Sequence, residues 1–564
     1  MTDYFDLGSY SRPVSTRSPA AQTWFDRGLM WIYAFNHGEA IKCFQRALQE
    51  DRRLAMAWWG IAYALGPNYN KPWEAFGDDE LDGTVREVFS ATASAVELAD
   101  GASPVERALI EALRTRYPSP AVIDDLAAWN AGFAEAMAAV YERFGDDLEV
   151  AVLYADALMN LTPWALWDVC SGRPAPGSQA LLIKQVLDRA LTLPGGQDHP
   201  GVLHLYIHLM EMSGSPESAL PVADRLRGLV PDAGHLEHMP THLDVLVGDY
   251  RRVISSNTDA IAADDRFVAR EGAMNFYTLY RCHDLHFRLY GALFAGKSEV
   301  ALQTAAAIER AVPEDLLRQQ NPPMADWAEG LLAMRVHVLV RFGRWPEILA
   351  LPFPDDQDLY CTSTAMLHYA RGISYAITSD HDHALIEQQR FGDAVARVPE
   401  TRTLFNNTCQ DILAIASAML DGEIAYRSGD IESGFSHLRR AIELDDTLPY
   451  DEPWGWMQPT RHAYGALLLE QDRVAEAEAV YRADLGFDPS VPRSQQHPNN
   501  VWALHGYHEC LQRLGKHEQA MIIKQQLDFA LAQADVPIAS SCFCRLDVGD
   551  HCAPGCTCRH CAAE

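Results

Sequence analysis

Residues 20–53, AAQTWFDRGLMWIYAFNHGEAIKCFQRALQEDRR, carry two apolar stripes at helical spacing on either side of a short turn around Asn36. Trp24, Gly28 and Trp31 recur every three to four residues, which puts them on one helix face. Ala40, Phe44 and Ala47 repeat the pattern after the turn. Small residues let two helices of such a hairpin approach closely, while the large ones fill the groove toward the next pair. One hairpin cannot bury its own apolar face, so it must stack on another. Trp58, in AMAWWGIAYALG, follows Trp24 by 34 residues and marks that next unit.

This spacing of Trp24, Gly28, Trp31, Ala40, Phe44 and Ala47 resembles the tetratricopeptide repeat. Later segments keep the register less perfectly: Gly422, Gly429 and Ala441; Gly465, Ala477, Tyr481 and Pro489; Trp502 and Gly506. The resemblance covers most of residues 20–535 and implies an all-α, tetratricopeptide-type helix-hairpin solenoid wound as a superhelix. The expected organisation is an N-terminal arm over 1–20, the solenoid over 21–540 and a short Cys/His-rich C-terminal tail over 541–564. Insertions or linkers rich in Pro, Gly and Asp are expected near 66–126 and 350–362. FNHGEA (35–40), HPGVLHLYIHLME (199–211), GHLEHMPTH (234–242) and YDEPWGWMQPTRHAYGALLL (450–469) also resemble segments of a recurring group of bacterial tetratricopeptide proteins. That likeness strengthens the fold and leaves the chemistry open.

A chain of 564 residues exceeds what one core supports, and a repeat array meets that limit. The formal net charge of −31 argues against nucleic acid as a partner, because phosphate contacts need clustered Lys and Arg. No apolar run has the length a bilayer requires, and the first twenty residues lack a signal-peptide layout, so the expected location is cytoplasmic, without a membrane partner. Of the 12 cysteines, Cys43, Cys170, Cys282, Cys361, Cys409 and Cys510 are scattered singly, which speaks against a disulfide framework through the body.

The chemistry concentrates between Asp198 and Leu293. Ala219 with Gly214 and Pro231 fixes a repeat register without using any histidine, and Gly248 and Tyr250 mark the following turn. In that register His204 and His238 are equivalent, 34 residues apart, as are His208 and His242. Setting Ala301 and Gly296 in the next repeat makes His286 a third equivalent, with His283 beside it, after an extra loop. His204, His208 and Glu211 share one helix face. The family resemblance implies that these positions line the concave inner wall, where ligands are held. Imidazoles reaching inward from neighbouring helices can then close on one ion at about 2.0–2.1 Å per bond. The candidate metal ligands are therefore His204, His208, Glu211, His238, His242, His283 and His286, with Glu211 also a candidate general base. Cu, Fe and Zn all suit such a set. Pro240 cannot sit inside a helix without breaking it, so the helix either starts near Met239 or kinks. His199 and His235 read as outer groups or loop residues, and His37 as a weak candidate.

Cys542, Cys544, Cys552, Cys556, Cys558 and Cys561 form a second candidate site, for soft metals, in a tail expected to pack on no repeat. No G-x-S-x-G elbow, P-loop, dinucleotide fingerprint or H-E-x-x-H is present. Paired carboxylates such as Glu271 with Asp284 have no spacing that assigns acid and base. Two readings result: a metal-dependent enzyme, redox rather than hydrolytic, on a small molecule in the groove; or a non-catalytic adaptor that binds a peptide or protein there.

Overall fold

The computed structural model describes residues 4–545. Among them are 27 α-helices and no strand longer than two residues, so the chain is all-α. Successive helices joined by three-residue turns pack on each other: Pro19–Tyr33 on His37–Glu50, Cys361–Ile377 on His381–Val395, and Cys409–Arg427 on Ile431–Asp446. Short turns of this kind make antiparallel neighbours. The first hairpin shows how local chemistry sets the ends. Ser18 caps the opening helix by accepting from the Ala21 amide at 3.2 Å, with Pro19 at its first position. Asn36 caps the second by accepting from the Glu39 amide at 3.3 Å.

The repeat has a packing signature. A glycine on the first helix faces a large side chain 16 residues later on the second, in Gly28/Phe44, Gly422/Leu438 and Gly465/Tyr481. A Cβ on Gly28 would stand 2.6 Å from the Phe44 ring, and one on Gly60 would meet the same ring at 2.6 Å from the other side. Tyr481 is clamped in the same way by Gly465 and Gly506. Gly28→Ala is therefore expected to cost about 1–3 kcal/mol through overpacking. Gly38→Ala, where a Cβ meets nothing within 4 Å, is expected to gain about 0.4–1 kcal/mol. Urea unfolding of the two variants side by side checks the difference in sign.

The chain divides into two compact units, Met1–Leu243 with Ser256–Asp284, and Asp244–Ser255 with Leu285–Glu564. Residues 4–18 of the expected arm run over the first unit: Trp31 Nε1 donates to Tyr4 Oη at 2.9 Å, and Arg12 pairs with Asp147 at 2.7 Å and Glu149 at 2.8 Å. The 66–126 segment holds the helices Asp78–Glu97 and Pro104–Arg116, which pack on Ala55–Leu65 and Ala127–Phe144 respectively. Residues 351–360 are non-helical and lead into Cys361–Ile377.

The end of the described chain differs from expectation. Ser541 and Cys544 are buried in the second unit. Ser541 Oγ donates to the His462 carbonyl at 2.7 Å and lies 2.6 Å from Tyr481 Oη, and Arg545 pairs with Glu509 at 2.7 Å. The start of the tail thus packs on the helices, because its serine and arginine satisfy buried partners and Phe543 packs on Trp502.

Candidate metal centre

The helix Pro200–Glu211 brings His204, His208 and Glu211 into the first unit. His199 caps it: its Nδ1 accepts from the Val202 amide at 3.2 Å, and its Nε2 donates to Glu149 Oε1 at 3.0 Å. Burial would raise the Glu149 carboxyl, yet His199 and Arg12 outweigh it and hold it at about 2. His199 is thus a structural group. Pro240 splits the next segment into two short helices, Gly234–His238 and Thr241–Val247. The break turns His242 back toward His238, so that their Nε2 atoms stand 2.8 Å apart.

Two sets of three histidines result, His204 with His208 and His235, and His238 with His242 and His283. In each, one ligand atom per residue lies within 4.8 Å of the others. Neighbouring rings of the two sets lie 5.8 Å apart for His208 and His242, and 6.0 Å apart for His235 and His238. Glu211 joins the sets, with Oε1 3.0 Å from His208 Nδ1 and Oε2 2.8 Å from His242 Nδ1. His238 Nδ1 donates to Asn257 Oδ1 at 2.7 Å, and the Tyr33 carbonyl accepts from His204.

These bonds fix tautomers. A carboxylate or amide oxygen can only accept, so His208 and His238 each carry a proton on Nδ1 and, when neutral, present a bare lone pair on Nε2. The bare Nε2 of His238 therefore faces His242 Nε2 at 2.8 Å, and that of His208 is buried with no hydrogen-bond partner among the described residues. His204 and His235 share a hydrogen bond, Nε2 to Nε2 at 3.2 Å. Burial pushes His204, His235 and His238 well below the ordinary imidazole range, keeping them neutral. Burial would raise Glu211, but the imidazoles of His208 and His242 outweigh it and hold the carboxyl low. Its Oε1 accepts from His208 Nδ1 and its Oε2 lies 2.8 Å from His242 Nδ1, so Glu211, the candidate general base, contacts a ring of each set.

Aromatic rings close over the first set. Phe35 lies 4.6 Å from His204 and stacks on His235 at 5.3 Å; Tyr69 lies 5.1 Å and Trp164 6.0 Å from His208. Phe35 (φ 53°) and Trp164 (φ 56°) both hold left-handed backbone. That conformation costs a bulky residue of order 1–3 kcal/mol and persists where the surroundings impose it, often at functional sites.

The remaining candidates lie elsewhere. His286, expected beside His242, belongs to the second unit, where its Nε2 lies 2.9 Å from Met457 Sδ; burial, then His337, pushes it down to about 3. His283, three residues earlier, takes the place expected of it. His37 holds the Ala64 carbonyl at 2.8 Å. Glu271 pairs with Lys42, and Asp284 is hydrogen-bonded to Asp264, so those two carboxylates are not a pair. The histidines expected on an open wall are buried: His204, His208, His238, His242 and His286 are each at most 1% exposed, and His283 is half-buried. Cys542 and Cys544 form a disulfide, which offers no thiolate, and Cys552, Cys556, Cys558 and Cys561 lie outside the described residues. Sequence reasoning left His235 outside the cluster, as an outer or loop residue, although it precedes His238 by three residues and so shares its helix face. Nothing in the sequence pointed to Asn257.

No family model and no curated protein matches the sequence. Among solved structures the chain is similar to yeast Tom70, at 11% identity over 90% of this chain and 96% of that one, with a TM-score of 0.28. It is also similar to the human IFIT1 dimer with m7Gppp-AAAA, at 11% identity, coverage of 92% and 91%, and a TM-score of 0.30. Likenesses of this degree carry nothing about chemistry, and the helical hairpins stand on their own geometry. None of the described helices is long and apolar enough to cross a membrane.

Proposed function

We propose that this helical protein is a metal-dependent enzyme whose buried imidazole centre performs redox chemistry on a small molecule. The observation that carries the reading is the anchoring of His208 through Nδ1 on Glu211 and of His238 on Asn257, with His242 Nδ1 2.8 Å from the other Glu211 oxygen and the Nε2 atoms of His238 and His242 turned toward each other. Histidines that bind metals characteristically donate their other N–H to a carboxylate or carbonyl in this way. Imidazole donors favour Cu, Fe, Zn or Ni over Mg, Ca and Mn, and the aromatic, water-poor surroundings suit oxygen activation by Cu or Fe. A cytoplasmic setting belongs to the same reading, in which Cys43, Cys282, Cys361, Cys409 and Cys510 are free and buried.

Metal analysis of the full chain purified without an affinity tag tests the proposal. The expected result is tightly held transition metal that His208→Gln reduces, together with oxygen uptake in the presence of a small-molecule reductant that the same variant abolishes. Metal-free protein that is folded and takes up no metal on reconstitution would return the chain to the peptide-adaptor reading.

A further inference from the structure

Resting on that metal reading, we infer that the centre is dinuclear: His204, His208 and His235 hold one transition ion, and His238, His242 and His283 hold a second beside it. Three protein ligands with an open fourth position is the ligand count of a catalytic first-row ion, and each set supplies three. Each set is complete without drawing a donor from the other, and Glu211 bridges the two. One of its oxygens fixes the His208 ring and the other the His242 ring, so each carboxylate oxygen serves a different set. The ring separations of 5.8 and 6.0 Å across the sets leave the two ions near enough for one small ligand to touch both, as in two-metal sites with ions about 3.5–4 Å apart.

The close pairs of nitrogens support two ions independently. His238 and His242 turn their Nε2 atoms on each other at 2.8 Å, and His204 and His235 meet at 3.2 Å. Each set thus brings two ring nitrogens together at one point, where an ion could replace the shared proton. The donors are imidazoles, and Glu211 is occupied with Nδ1 atoms, so the centre selects ions that prefer nitrogen; of these copper binds most tightly.

The test uses copper and the full chain. His204→Gln with His235→Gln removes ligands from the first set, and His238→Gln with His283→Gln from the second. Glutamine keeps an amide donor near the position of each imidazole, and thermal unfolding reports the fold of each variant. Copper taken up anaerobically as Cu(I) is counted against the parent, so that any uptake by the tail cysteines cancels in the difference. The expected result is the loss of one equivalent in each double variant. Oxidation should then give a weak or absent paramagnetic signal in the parent, where two Cu(II) ions couple, and a full single-copper signal in each variant. In case a variant does not fold, the parent alone also decides: two nitrogen-ligated copper ions per chain support the pair. One such ion in the parent, or loss from one set with none from the other, overturns the dinuclear centre and leaves the metal enzyme standing. No nitrogen-ligated copper in the parent overturns both.

Discussion

Replacing His208 and His242 together with glutamine is expected to weaken binding of imidazole-held metal more than about 100-fold, beyond the 10–100-fold typical of losing a group that only orients a ligand. The pair takes one ligand from each set of three, leaving two nitrogens where at least three are needed. Glutamine is the informative replacement because its amide can still donate to Glu211, whose two oxygens receive both rings in the native protein. Alanine at both positions removes both donors and strands a fully buried carboxylate. Breaking a buried pair in this way costs about 3–5 kcal/mol, so the alanine variant is expected to lose stability as well as metal. Inductively coupled plasma analysis beside a urea titration separates the outcomes. A glutamine pair that keeps its full complement of nitrogen-bound metal would show that the rings are structural.

Ending the chain at residue 540, compared with ending it at 545, is expected to destabilise the second unit by about 3–5 kcal/mol. The five residues concerned do several separate things. Ser541 satisfies the hydroxyl of Tyr481, which is itself fully buried between two glycines. Phe543 packs against Trp502 at 5.9 Å between ring centroids, and Arg545 reaches Glu509 through two nitrogens at 2.7 and 3.0 Å. The Cys544 carbonyl accepts from Arg427. Fully burying a phenylalanine contributes about 1.5–3 kcal/mol, of which the half-buried Phe543 supplies a part, and leaving a buried hydroxyl unsatisfied costs about 1–3 kcal/mol. Hydrogen exchange at Val501–Arg513 and Val474–Asp484, read for the two truncations side by side, reports this loss locally. Equal protection in both would show that the segment contributes nothing to the helices it touches.

Much of this was legible before any coordinates. The glycine-to-aromatic spacing in residues 20–53 reports a packing requirement that recurs at Gly465 and Tyr481, because two helices can approach only where one of them lacks a side chain. His204, His208, His238 and His242 were legible for a related reason, since repeats that stack in register carry equivalent side chains to equivalent places. What periodicity could not convey lies where the chain leaves the repeat. The break at Met239–Pro240 brings His235 in beside His204, and the loop before Thr278 selects His283 where the register had made His286 the equivalent. Phe35 entered unannounced because its importance depends on a left-handed backbone at a hairpin turn. The division into two units left no composition shift to read. Ser541 and Arg545 were obscured by the cysteines around them, which drew the whole tail into one chemical class.

The burial of His204, His208, His235, His238 and His242 has a kinetic consequence. A cation surrounded by such a shell does not trade places with solvent at the rate of diffusion; it waits for a segment of the scaffold to open and reclose. Removal by a chelator should therefore reach a ceiling, with a rate that stops rising as more chelator is added and instead tracks the opening of the helices around Phe35 and Pro240. A protein loaded with one metal would retain it through long exposure to another, and its content in a cell would record which ion was present when the chain folded.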